Sequence, residues 1–206
     1  MALSKEQQEK LTPSLALKEL KEGHQRFIDG TPLTLSTSSL INQTAKAQFP
    51  KAIVISCIDS RVPVEQIFDQ NIGDIFVARV AGNFINNDIL ASIEYACAVA
   101  QSPLVIVLGH EGCGAVSSAC DGVKLGHITE MLQAIRPAIE NAQKTSHEPY
   151  NSSNASYVAS VTESNVLLNI NKITQQSQLL KERIENGQLA LCGGVYQIND
   201  GTINWL

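Results

Sequence analysis

The chain has 206 residues, 44% of them hydrophobic, with a mean hydropathy near zero, so it is long enough to bury a substantial core and reads as one globular unit. Fifteen Lys and Arg against 20 Asp and Glu leave a formal charge of -5. That balance excludes the basic field a nucleic-acid or anionic-membrane partner requires. No run of about eighteen apolar residues exists, and the start "MALSKEQQEKLTPS" turns charged before an apolar signal region forms, so the expectation is a cytoplasmic protein. The five cysteines are odd in number and dispersed, which suits reduced thiols serving as ligands or core filler better than a disulfide framework.

The first predicted element is a helix capped by Thr12, with Pro13 in its first turn, a stripe of Leu17, Leu20, His24, Phe27 and Ile28, and Gly30 at its end. Thr31 to Gln48 is polar and Ser/Thr-rich, and reads as a connecting loop or wrapping arm. "KAIVISC", "DIFVARV" and "PLVIVLG" are short β-branched runs of the kind buried on both faces of a parallel sheet. Between the last two, Asp88 to Gln101 has helical spacing, capped by Asn87 or Asp88. Gly114 to Cys120, Ile128 to Gln143 and Val158 to Gly187 read as further helices, the last with Val161, Asn165, Leu168 and Lys172 along one drifting face. "HEPYNSSNASY" reads as a loop, and the end "QLALCGGVYQINDGTINWL" as a hairpin turning at Asn199 to Gly201. The fold class expected is α/β: a mostly parallel sheet flanked by helices, a C-terminal hairpin strand at the edge and an N-terminal helical arm. The whole chain, 1–206, is taken as one domain, with 1–48 as helix and arm and 49–206 as the α/β core.

Ligands in such folds gather beyond the carboxyl ends of the strands. Cys57 ends the first strand in "SCIDSR", and "GHEGCG" ends the third, so Cys57, His110 and Cys113 stand at one sheet edge. The three-residue step from His110 to Cys113 lets both reach one point across a single turn. Two thiols and an imidazole make a three-ligand zinc set with one open position, the arrangement of a catalytic rather than a structural site. Alternation along an extended chain brings Asp59 out beside Cys57. Arg61 is able to grip that carboxylate with two parallel bonds, keeping Asp59 off the metal or releasing it to become a fourth ligand that closes the site. Zinc between two thiolates acidifies its water less than an all-histidine site does, so activity should climb toward alkaline pH.

"SCIDSRVP" with "LGHEGCGAV" resembles the β-class carbonic anhydrases, whose signatures are CxDSR and HxxC; "RFIDG", "IFDQNIGDIFVARVAGN", "SIEYA", "TESNV" and "LCGGVYQINDG" extend the resemblance over most of the chain. The resemblance implies Zn2+ at Cys57, His110 and Cys113, with Asp59 and Arg61 as the catalytic dyad. The reaction it implies is reversible hydration of carbon dioxide to bicarbonate by zinc-bound hydroxide. The plant-like type implies a substrate pocket formed by Gln48, Phe76, Ala81, Tyr95 and Gly114, in which Ala81 stands where valine is common. Val54 stands where a second type of the family has the tryptophan of an inhibitory bicarbonate site, so that regulation is not expected. The family's tight dimers imply that Gln48, Phe76 and Tyr95 meet the zinc across a subunit interface. The expected assembly is a homodimer, with a tetramer as a pair of dimers.

Competing readings are a zinc hydrolase of a carbon dioxide analogue such as carbon disulfide, a non-catalytic zinc-containing bicarbonate sensor, and a thiol redox enzyme with Cys113 as nucleophile. Cys97, Cys120 and Cys192 read as core filler, and His24, His127 and His147 as structural or solvated residues.

Overall fold

The computed structural model describes residues 2–33 and 36–206. In chain order these form α1 (Lys5–Glu9), α2 (Pro13–Ile28), α3 (Thr37–Thr44), β1 (Ala52–Ser56), α4 (Val64–Ile67), β2 (Ile75–Arg79) and α5 (Asn87–Glu94), which runs into a π-helical turn, Tyr95–Val99. There follow β3 (Leu104–His110), α6 (Gly114–Cys120), α7 (Gly126–Gln133), α8 (Arg136–Ala142), α9 (Ala155–Gln176), α10 (Gln178–Glu185), β4 (Ala190–Tyr196) and β5 (Ile203–Trp205).

The sheet order is β2-β1-β3-β4-β5. The first four strands are parallel, and β5 pairs antiparallel to β4 at the edge, closing the expected hairpin. Period-two alternation divides the core between the two faces. Ile53, Ile55, Val105 and Val107 pack with Leu90, Ile93, Val166 and Ile173 on one side; Val54, Leu104, Ile106 and Leu108 pack with Ala16, Leu20, Ile67 and Phe68 on the other. Every residue of β1 and β3 is buried, and each large aliphatic side chain among them contributes about 1.5–3 kcal/mol. α2 begins as its sequence dictates, with Thr12 Oγ1 accepting from the Leu15 N–H and Pro13 in the first turn.

Five expectations need correction. The segment 31–48 is not all loop: Ser36 caps α3, whose Leu40 is buried, while residues 34 and 35 lie outside the described residues. α1, closed by a Ser4–Gln7 capping box, was not anticipated. β2 is not buried on both faces but forms the sheet's other edge, half-covered along most of its length. α5 is capped by Asn86, one residue earlier than expected, and its last stretch is a π turn rather than α-helix. Finally, two long helices are each broken in two. Pro137 has no N–H and its ring clashes with the carbonyl four residues back, that of Gln133, where α7 stops. Ser177 takes an extended conformation, accepts from the Leu180 N–H and donates to Glu94 Oε1, so it caps α10 instead of continuing α9.

Candidate metal centre

Because β1 and β3 are adjacent and parallel, their carboxyl ends deliver Cys57 and His110 to the same edge. A turn with Gly112 at φ 63° then brings Cys113 back to the start of α6. The three ligand atoms lie within 4.8 Å of one another, and no other group of three metal-binding side chains is this close among the described residues. All three are buried: Cys57 is 4% exposed, Cys113 1% and His110 0%.

The donor set fits zinc on two observations. The sulfurs are 3.9 Å apart, close to the roughly 3.8 Å that two thiolates take on one tetrahedral zinc with bonds of about 2.3 Å. His110 Nδ1 lies 2.9 Å from the Glu111 carbonyl; donating there leaves Nε2 with a free lone pair, and Nε2 is buried with no hydrogen-bond partner among the described residues. An isolated buried imidazole nitrogen is unfavourable unless something binds it. The thiols also respond to one another. The hydrogen bond between them is the chief cause that lowers the Cys57 thiol and raises that of Cys113, and burial adds to the rise of Cys113. Two sulfurs sharing one proton in this way are arranged to exchange it for a cation.

Asp59 and Arg61 are joined by the two parallel bonds the sequence suggested. Arg61 Nε donates to Oδ1 at 3.0 Å and Nη2 to Oδ2 at 2.8 Å, while the Arg61 backbone N–H adds a third bond to Oδ1 at 2.9 Å. These bonds, the side-chain ones foremost, hold Asp59 well below the usual carboxylate range. Asp59 Oδ2 lies 3.9 Å from His110 Nε2, so the carboxylate sits beside the ligands while both its oxygens accept from Arg61.

The pocket residues divide. Ala81 adjoins Gly82, whose N–H points at Cys57 Sγ from 3.4 Å, and Gly114 adjoins Cys113. Gln48, Phe76 and Tyr95 are elsewhere. Phe76 pairs with Ile53, four residues before Cys57, which is about 13 Å of strand. Tyr95 packs edge-on against Phe76 with centroids 6.3 Å apart and is 55% exposed. Gln48 is exposed and borders a cleft of about 650 Å³ lined also by Gln8, Val99 and Arg183, at the amino end of the sheet. Within one chain these three do not touch the ligands.

The remaining cysteines behave as thiols outside the chemistry. Cys97 is fully buried and pushed up to about 12 by burial; Cys120 and Cys192 are half-buried and pack against the core, Cys120 pushed up to about 11 and Cys192 raised, both chiefly by desolvation. His24 is buried against the Ile67 carbonyl, and His127 and His147 are exposed. Two contributors escaped the sequence reading of single residues. One is Gly82; the other is Arg79, whose Nε donates to the Cys57 carbonyl at 2.8 Å and Nη2 to the Asp59 carbonyl at 2.6 Å, fixing the backbone that carries ligand and acid. Both lie in "VARVAGN", where a charged residue closing an apolar strand ahead of a glycine was the available signal.

Comparison with known proteins agrees with this geometry. Residues 52–203 match the family described as carbonic anhydrase. The chain is 36% identical over 195 residues to carbonic anhydrase 2 of Mycobacterium tuberculosis, covering 92% of this chain and 90% of that protein. Among solved structures it resembles the Coccomyxa β-carbonic anhydrase in complex with acetazolamide, with a TM-score of 0.72, 25% identity and coverage of 82% and 77% of the two chains. It also resembles one of two tetrameric β-carbonic anhydrases of Sordaria macrospora, with a TM-score of 0.69, 25% identity and coverage of 82% and 90%. A family match across three quarters of the chain, joined to a buried Cys-His-Cys cluster at the strand ends, places this protein in the β class of the carbonic anhydrase family.

Proposed function

We propose that this chain catalyses the zinc-dependent reversible hydration of carbon dioxide, with Cys57, His110 and Cys113 as metal ligands and Asp59 and Arg61 as the catalytic dyad. The observation that carries this reading is the buried Cys57–His110–Cys113 convergence with an unpartnered His110 Nε2 and a carboxylate beside it. Zinc, when bound there, supplies the Lewis acidity that makes water nucleophilic, increasingly toward alkaline pH because two thiolates offset its charge. Cys57 and Cys113 bind as thiolates, and His110 binds through Nε2 with its tautomer set by the Glu111 carbonyl.

Asp59, kept ionised and therefore acceptor-only, orients the attacking oxygen by receiving its proton-bearing side at Oδ2. Arg61 keeps Asp59 from the ligand position by satisfying both carboxylate oxygens. Ala81 and Gly114 border the ligands from within the chain. Gln48, Phe76 and Tyr95 complete the substrate wall from a second copy in a homodimer, and pairs of dimers give a tetramer; the exposure of Tyr95, Val99 and Ile72 supports an interface there. The working compartment in this reading is the cytoplasm. Among the described residues no helix is long and apolar enough to cross a membrane.

The thiol redox alternative fares worse, because Cys113 is 1% exposed and its sulfur sits in one cluster with Cys57 and His110 rather than open to a substrate. Metal content and stopped-flow hydration of carbon dioxide, measured on one sample, test the proposal. About one zinc per chain with rapid hydration is expected; full activity without zinc overturns it. Turnover of carbon disulfide in preference to carbon dioxide would instead reassign the substrate.

A further inference from the structure

α9 carries a polar stripe on a face that packs into the core. Asn165, Asn169 and Lys172 recur at helical spacing among Val161, Val166 and Ile173, all three of which are 0% exposed. Asn165 and Asn169 are themselves 2% and 5% exposed. Amides are unfavourable in such surroundings unless bonded, and aliphatic residues would fill the space as well.

Each of the three bonds to one short loop. Asn165 Nδ2 donates to the Gly82 carbonyl at 2.9 Å, the Ile85 N–H donates to Asn169 Oδ1 at 2.8 Å, and Lys172 Nζ donates to the Ile85 carbonyl at 2.6 Å. Asn169 Nδ2 donates in turn to the Asn165 carbonyl at 2.8 Å and to Asn165 Oδ1 at 3.0 Å, which fixes the first amide. The stripe therefore staples residues 82–85 to α9.

What the staple holds is Gly82, whose N–H faces Cys57 Sγ. Gly82 sits at φ 80°, and a β-carbon there would come within 2.8 Å of Ile135 Cδ1, so neither conformation nor space admits a stiffer residue. A glycine between two polar contacts has the freest φ and ψ of any residue. Anchoring its carbonyl on one side is what keeps its N–H aimed on the other. An N–H donated to a ligating sulfur draws charge from it, orients it and tunes the metal it binds.

We propose that Asn165, supported by Asn169, is a positioning residue for the metal centre: through the Gly82 carbonyl it holds the Gly82 N–H on the Cys57 sulfur and so sets the charge that sulfur gives to the metal. This rests on the reading of Cys57 as a zinc ligand.

The test is the cobalt-substituted enzyme. In Asn165→Ala the thiolate-to-cobalt charge-transfer band moves to lower energy, because the sulfur has lost a donor, and zinc passes to a chromophoric chelator about tenfold faster, because the sulfur has lost the contact that orients it and this outweighs its greater basicity. Asn169→Ala shifts both in the same direction by less, and decides the matter if Asn165→Ala does not fold. Ile173→Ala, on the same helix, lowers thermal stability and leaves the band in place. A wild-type band that is unmoved in both asparagine variants, with release within about twofold of wild type, overturns the positioning role. Absence of the band from the wild-type protein removes the ligand reading and the inference together.

Discussion

At the carboxyl end of β1 and β3 the three proposed ligands are at most 4% exposed; at the amino end Tyr95 is 55% exposed, Val99 67%, and Gln48 lies open beside a wide cleft. The same parallel sheet supports both ends. The first is complete in one copy, since β1 and β3 are neighbours and a single turn returns Cys113. The second leaves Gln48 and most of Tyr95 open to solvent, Tyr95 touching Phe76 edge-on, with Phe76 about 13 Å of strand from the ligands. Chemistry built on one copy and a pocket wall left for another copy to supply are therefore separable by experiment.

The largest effect should come from the closed end. Cys57→Ser or Cys113→Ser replaces a thiolate with a hydroxyl that stays protonated and bonds zinc poorly, so bound metal and carbon dioxide hydration should both fall to background while the fold persists. Metal analysis with stopped-flow kinetics and circular dichroism reads this directly. Normal metal content in either variant would break the comparison at its stronger side. Next comes the dyad: Asp59→Asn removes the acceptor at Oδ2 and should lower turnover by about 100-fold with zinc retained, separating orientation from binding.

The open end should respond more mildly and through assembly. Tyr95→Ala should lower hydration by about tenfold, shift sedimentation toward the single chain, and leave zinc content unchanged, since Tyr95 touches no ligand. Activity per chain should fall on dilution in step with dissociation. A monomeric variant with full activity would show that the wall is not supplied by a second copy.

The same division explains what the sequence made legible. Within each half of the site the placement is local, since alternation sets Asp59 and Arg61 beside Cys57 and one tight turn sets Cys113 beside His110. The rule that ligands gather at the carboxyl ends of strands then joined the halves, which β1–β3 pairing brings together. β1 and β3 were clear from their β-branched runs. β2 has a similar run yet forms an edge, since strand order is decided by long-range pairing that composition does not encode. The breaks at Pro137 and Ser177 were punctuated in the sequence, but apolar periodicity on either side outweighed them. Gly82 and Arg79 were hidden for another reason: what they contribute is a backbone N–H and a grip on two carbonyls, neither of which depends on a recognisable cluster of chemical side chains.

The smallest effect concerns a region that should be indifferent to the metal. His24 on α2 is 8% exposed, with one ring nitrogen 3.0 Å from the Ile67 carbonyl of α4 and the other buried without a partner. Burial lowers its proton affinity and the Ile67 bond only partly opposes that, so the folded chain binds this proton less readily than the unfolded chain. Its contribution is then complete above the ordinary histidine value of about 6.5 and is lost as pH falls from there through the depressed folded value, at no more than about 1.4 kcal/mol per pH unit. In His24→Gln, whose amide also reaches the Ile67 carbonyl, chemical denaturation should give a shallower loss of stability below pH ~6.5 than in wild type. The metal's own pH dependence cancels in that difference, and zinc content at neutral pH should be equal in the two proteins. Parallel stability profiles would mean that α2 is held without help from a neutral His24, and lost zinc would mean that the packing of α2 on α4 reaches the dyad turn immediately before it.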